Sequence, residues 1–276
     1  MTRDAEMSTG AFLTLAIAGL QHEGDVGVVQ QVLRQVKASL DMYARPDNRA
    51  GYLIRLADAL RSLARADAPG SDHQLAFVRG WIASASTPDH LGQLGDLLDG
   101  KDVLHGLVVD ADLRWSMLQR LVATGNRDTD AIDAESRRDH TATGQRQAAV
   151  ARASIPTIEA KEMAWTAMMT PDALPNSLLE ATLGGFVNAD QRELQAQFTE
   201  RYFDAVPGVW AGRTSEVAQS IVQGLYPALL VDAATVERTE RFLAENPSLA
   251  FGARRLVAEG SDGVSRALRA RLADED

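Results

Sequence analysis

The sequence predicts an all-α protein, an α-solenoid of stacked antiparallel helix pairs of the HEAT or armadillo kind, and three observations carry that expectation. Apolar residues recur at three- and four-residue steps along the 276 residues, and no segment alternates at the two-residue period of a half-buried strand. Apolar side chains make up 45% of the chain but aromatics only 5%, so the core is expected to be built mainly from Ala, Leu and Val, which suits closely packed helices. In the second half, short helical stretches alternate with breaks of two to five residues. Helix pairs of this kind cannot bury their apolar faces alone and must stack on their neighbours. No repeat is visible as sequence identity, so the solenoid is an inference about architecture.

The elements follow in order. A first helix runs to Leu20 behind the Ser8-Thr9 cap, and the loop His22-Glu23-Gly24-Asp25 ends in a second cap for VGVVQQVLRQVKASLDMY, with Val29, Val32, Leu33, Val36 and Leu40 on one face. Arg45-Pro46-Asp47-Asn48 breaks it, and the next helix presents Leu53, Leu56, Ala57, Leu60 and Leu63. Residues 68–72, APGSD, form a loop before shorter helices near 72–85 and 88–99. A mixed link over 98–110 leads to DADLRWSMLQRLVATG, stopped by Gly125. The texture then changes. Helices are expected to pair at 129–138 with 142–154, 157–169 with 176–186, 190–205 with 213–225, and 232–245 with 248–256 and beyond. The chain thus divides into an N-terminal bundle over 1–125 and a helical-pair array over 126–276, together one domain.

A net charge of −10 repels nucleic-acid phosphates and anionic lipid surfaces, so neither nucleic acid nor membrane is expected as a partner. There is no cysteine, which removes disulfides, thiolate metal sites and cysteine nucleophiles. The start MTRDAEMSTG lacks a basic region followed by an apolar core, and no charge-free stretch reaches membrane-spanning length. A cytoplasmic setting is expected. Lysine is confined to Lys37, Lys101 and Lys161, an arginine bias that reads as the codon usage of a GC-rich genome.

His22-Glu23 opens the question of a zinc protease, whose H-E-x-x-H spacing puts two imidazoles on one helix face with a glutamate beside them as general base. Here the second histidine is replaced by Val26, and none of His73, His90, His105 and His140 precedes a glutamate. No catalytic or metal-ligating residue is therefore assigned in this chain, and exposed or capping roles are expected for its histidines. Two arginines interrupt apolar stripes: Arg114 stands four and seven residues before Leu118 and Leu121, and Arg213 four, eight and twelve before Val217, Ile221 and Leu225. Both are expected to face inward, as a buried arginine paired with an acid that holds helices in register or as a cation lining a cavity. Glu162, in line with Ile158, Trp165 and Met169, is a comparable inward acid. The run MAWTAMM (163–169) reads as core, Gly184-Gly185 as close helix packing or a kink, and the charge runs Glu135 to Asp139 and Arg254-Arg255 as solvated faces.

Five segments then stand in a telling order: PGSDHQLAFVRGW (69–81), DADLRWSMLQRLVATG (110–125), LPNSLLEATLGGF (174–186), TERYFDAVPGVWAGRTSEVAQSIVQGLYP (199–227) and TERFLAENPSLAFGARRLVAEGSDGVSRALRAR (239–271). Together they resemble the C-terminal helical domain of the aminopeptidase N family, zinc aminopeptidases that include the antigen-trimming enzymes of the endoplasmic reticulum. The likeness covers nearly the whole chain, whereas the family's H-E-x-x-H and G-x-M-E-N catalytic motifs are absent from it. The resemblance implies a noncatalytic domain that closes the substrate chamber against a catalytic domain of the same polypeptide, which holds the zinc. Peptides would be the substrates of the full enzyme, and Arg213, Arg114 and Glu162 the candidate chamber residues. The beginning at Met1-Thr2-Arg3, just before a helix, suggests a chain cut at a domain boundary or within the last connection. In isolation such a domain is expected to bind no stoichiometric zinc, to be inactive, and to expose an apolar face that promotes self-association. The alternative is a free-standing helical-repeat scaffold that binds another protein.

Overall fold

The computed structural model describes residue 2 and residues 4–274, and among these it contains helices and no strand. Fifteen helices are found: α1 (Thr9–Leu20), α2 (Val26–Met42), α3 (Pro46–Ala66), α4 (Asp72–Ser84), α5 (Pro88–Asp99), α6 (Ala111–Ala123), α7 (Thr129–Ser136), α8 (Ala142–Ala153), α9 (Ile158–Met169), α10 (Asn176–Phe186), α11 (Arg192–Ala196), α12 (Thr199–Gly212), α13 (Ser215–Gly224), α14 (Ala233–Glu245) and α15 (Phe251–Leu272). The protein is all-α, with helices packed in pairs as in an α-solenoid. Ten helix starts are fixed by a Ser, Thr or Asp whose side chain accepts from an otherwise orphaned amide, Ser8, Asp25 and Asp110 among them. Stops are equally local. Gly125 adopts φ 74° after α6, and its amide and that of Asn126 return to Val122 and Leu121, a Schellman closure that needs the left-handed region glycine tolerates.

Two compact units make up the chain. The first comprises Met1–Asn126 together with Arg269–Asp276. Its core is aliphatic, as composition suggests, with α3 packed on α4 and Leu40, Leu60, Leu94, Leu113 and Leu118 all buried, plus Trp81 and Trp115. The chain's end belongs here. Asp274, fully buried, accepts from the amides of Gly10 (3.2 Å) and Arg45 (2.9 Å) and from the Tyr52 hydroxyl (3.3 Å), while Asn48 donates to its backbone carbonyl (2.9 Å).

The second unit, Arg127–Leu268, stacks α8 on α10 and α10 on α13, and pairs α7 with α8, α9 with α10 and α12 with α13. Gly185 is where two of these helices meet: a Cβ there would lie 2.1 Å from the Val150 carbonyl oxygen of α8, whereas its neighbour Gly184 has nothing within 4 Å. The glycine pair is thus a close helix packing through one member. This core too is built mainly from Ala, Leu and Val, as expected, with two aromatic clusters set among them. Trp165, Phe186 and Phe198 form one cluster, with centroids 5.2–6.2 Å apart, and Tyr202, Phe203, Tyr226 and Phe242 another. The single helix expected over 190–205 is instead α11 and α12, because the chain turns at Phe198 to bury that ring. α12 then continues through Pro207, whose missing N–H leaves the Phe203 carbonyl without its intrahelical donor.

Candidate functional site

Arg114, the fourth residue of α6, is half-buried in the first unit, and its guanidinium donates to the Leu98 carbonyl at the end of α5 (2.9 Å). Arg213 and Glu162 belong to the second unit. Arg213 is not on the α13 stripe as the spacing suggested; it is the C-cap of α12, in extended backbone, because Thr214 caps α13 and starts a new helix. Its Nη2 reaches the last carbonyls of α9, Met169 at 2.7 Å and Met168 at 3.3 Å. Glu162 corrects the sequence expectation too. It is half-exposed, paired with Arg201 at 2.6 Å, and the guanidinium of Arg201 stacks over Trp165 at 5.0 Å.

The inward cation on α9 is its neighbour, Lys161, which sequence reasoning missed. The buried face of α9 is Lys161, Ala164, Trp165 and Met168, turned by one residue from the stripe drawn through Ile158 and Glu162. Lys161 is fully buried, and its Nζ donates to Ala153 (2.7 Å), Phe186 (3.0 Å) and Gly185 (3.4 Å), the C-terminal carbonyls of α8 and α10. Burial pushes its pKa down to about 7.

Lys161 exposes a rule that covers both arginines. Helix C-termini carry orphan carbonyls and the negative end of the helix dipole, and a cation from another segment satisfies both. Arg120 does this at Ala85 after α4 (2.7 Å), Arg254 at Leu243 and Asn246 after α14 (2.8 and 3.1 Å), and Arg271 at Met42 ending α2 (3.2 Å). Arg254 is therefore not on a solvated face. Nor is Glu135, which is 5% exposed. His90 is buried as well, its Nε2 3.1 Å from Asp58.

A concavity of the second unit lies among α7, α8, α9 and α10, a groove of about 890 Å³. Ala148, Ala149, Ala160 and Leu178 line it, and Arg152, His140 and Glu159 stand among its polar groups. Met163 also lines it at 74% exposure, so the run 163–169 is core except at this residue. None of Arg114, Arg213 and Glu162 is among its lining residues. Among the described residues no three His, Cys, Asp or Glu side chains gather as a metal would require. A catalytic zinc with three protein ligands does not fit these residues.

A family model described as "ERAP1-like C-terminal domain" matches residues 1–266. The chain belongs to this family. Aminopeptidase N of Streptomyces lividans is 49% identical over 275 residues, a match that covers 99% of this chain and 32% of the relative. The ERAP1-like C-terminal chain thus spans about a third of the length of the curated relative it matches, and it corresponds to the C-terminal domain of an aminopeptidase N-like enzyme.

Proposed function

We propose that this ERAP1-like C-terminal domain is the noncatalytic helical part of a zinc aminopeptidase acting on peptides in the cytoplasm, where it closes the substrate chamber against a catalytic domain of the same polypeptide. The observation that carries the reading is the alignment of nearly the whole chain at 49% identity with an aminopeptidase N three times its length. The groove among α7–α10 supports it, since an apolar floor with scattered polar groups accepts an extended chain without demanding one side chain. The zinc and its chemistry would be supplied by residues outside this chain.

The test is a chimera in which this chain replaces the matching third of the Streptomyces enzyme. The chimera should release N-terminal residues from peptides with the parent's dependence on peptide length, and deletion of that third should abolish the dependence. Unchanged length dependence after deletion would overturn the reading and favour the free-standing scaffold. Arg213→Ala in the chimera separates the roles of that residue. A substrate-binding role weakens turnover of longer peptides more than of single aminoacyl amides. The helix-end role lowers the melting temperature, by about 1–2 kcal/mol of stability for the two carbonyls left without a donor.

A further inference from the structure

The first unit has its own cleft, remote in sequence from the groove of the second. It lies between α2 and α4 over α3 and encloses about 500 Å³, within the range of small-molecule sites. Its apolar lining is wholly aliphatic, including Leu33, Leu56, Leu60 and Leu75. At Gly80 a Cβ would lie 2.8 Å from Leu60 and 3.3 Å from Leu33, so side chains of α2 and α3 close against the α4 backbone there. Both walls are helical stripes, Val26 to Lys37 on α2 and Asp72 to Ala83 on α4, each about 16 Å long at 1.5 Å per residue. The cleft is therefore a trough rather than a bowl.

Its charge runs against that of the chain. In a protein of net charge −10, the trough is lined by Arg34, Lys37 and Arg79 and by one acid, Asp72. Arg34 and Arg79 flank the Leu33–Gly80 contact from opposite walls. Arg34 donates to the neutral Gln31, and Arg79 is exposed and forms no ion pair among the described residues. Lys37 pairs with Asp41, a carboxylate that Arg49 also engages. Asp72 is seven residues from Arg79 along α4, about 10 Å away. A narrow aliphatic trough with cations at its middle on both walls fits a flexible chain carrying one anionic group.

We propose that the cleft between α2 and α4 binds a linear aliphatic carboxylate, its chain lying along Leu33, Leu56, Leu60 and Leu75 and its headgroup held between Arg34, Lys37 and Arg79. Bidentate contact with guanidinium groups gives the carboxylate orientation as well as charge, and the aliphatic walls supply the apolar burial.

Titration calorimetry on the full chain, with dodecanoate below its micellar range, tests this. Saturable binding of one dodecanoate per chain is expected, weakened tenfold or more by Arg79→Glu and blocked by Ala83→Trp, which extends an exposed wall residue across the trough. Both positions are exposed, and an unchanged melting temperature confirms that the variants fold. Dodecyltrimethylammonium, with the same chain and the opposite charge, should bind at least tenfold more weakly. Absence of saturable binding, equal binding of the two amphiphiles, or wild-type affinity in both variants would each overturn the proposal.

Discussion

Lys161 shows how much one side chain can organise. Its three acceptors end two helices, so Lys161→Met leaves buried carbonyls of both α8 and α10 without a donor. A loss of about 1–3 kcal/mol is expected in denaturant unfolding. The pH dependence has a definite sign. An unfolded lysine titrates near 10.4, whereas burial holds Lys161 at about 7, so between these values the unfolded chain binds more protons and stability rises with pH. As pH falls from about 10 to about 7 the wild type should lose stability that Lys161→Met does not lose, and the two curves should run parallel below that. Parallel curves throughout would mean that the ammonium is fully stabilised by its three carbonyls. The same residue marks a limit of sequence reading. On α9 a stripe through 158, 162, 165 and 169 and one through 161, 164, 165 and 168 differ by one residue of rotation, and only the packed neighbours decide between them. A lone lysine among arginines, three before Ala164 and four before Trp165, was the available signal.

At the scale of elements, what was legible was local. Helix starts followed from Ser, Thr and Asp caps, and the stop after α6 from Gly125, because these devices act within a few residues of themselves. The break between α11 and α12 was not legible, because it exists to place Phe198 against Trp165 and Phe186, partners 33 and 12 residues away. Arg213 was misplaced for the opposite reason: the apolar period was carried backwards across a boundary that Thr214 and Glu216, a cap and a first-turn acid, already marked. The helix-end carbonyls that Arg114 and Arg213 reach were not readable, since a helix end gives no signal in a distant segment. The glycine pair of α10 offers a sharp contrast between neighbours. Gly185→Ala drives a methyl into the Val150 carbonyl and should destabilise the second unit by about 1–3 kcal/mol, since a backbone atom cannot step aside as a side-chain end can. Gly184→Ala meets nothing and should stabilise by up to about 1 kcal/mol through helix propensity. Thermal melts of the two variants should shift in opposite directions, and a shared direction would sink the assignment of Gly185 as the contact point.

For the molecule as a whole, the residue to test is Asp274. Asp274→Ala removes the acceptor of a backbone amide in α1 and of another before α3, together with that of a tyrosine hydroxyl. A loss of about 2–4 kcal/mol is expected from several orphaned buried donors. Hydrogen exchange should quicken in α1 and α3 and stay unchanged in α8 and α10; uniform quickening would show that Asp274 does not act on the first unit in particular. That tie also orders events in time. A ribosome delivers the chain from its N-terminus, and domains tend to fold as units while synthesis proceeds. Residues 127–268 are complete before Asp274 exists, so the second unit is free to finish first. The first unit, though synthesised earlier, is completed only afterwards, with the amide of Gly10 unanswered until a carboxylate arrives 264 residues later.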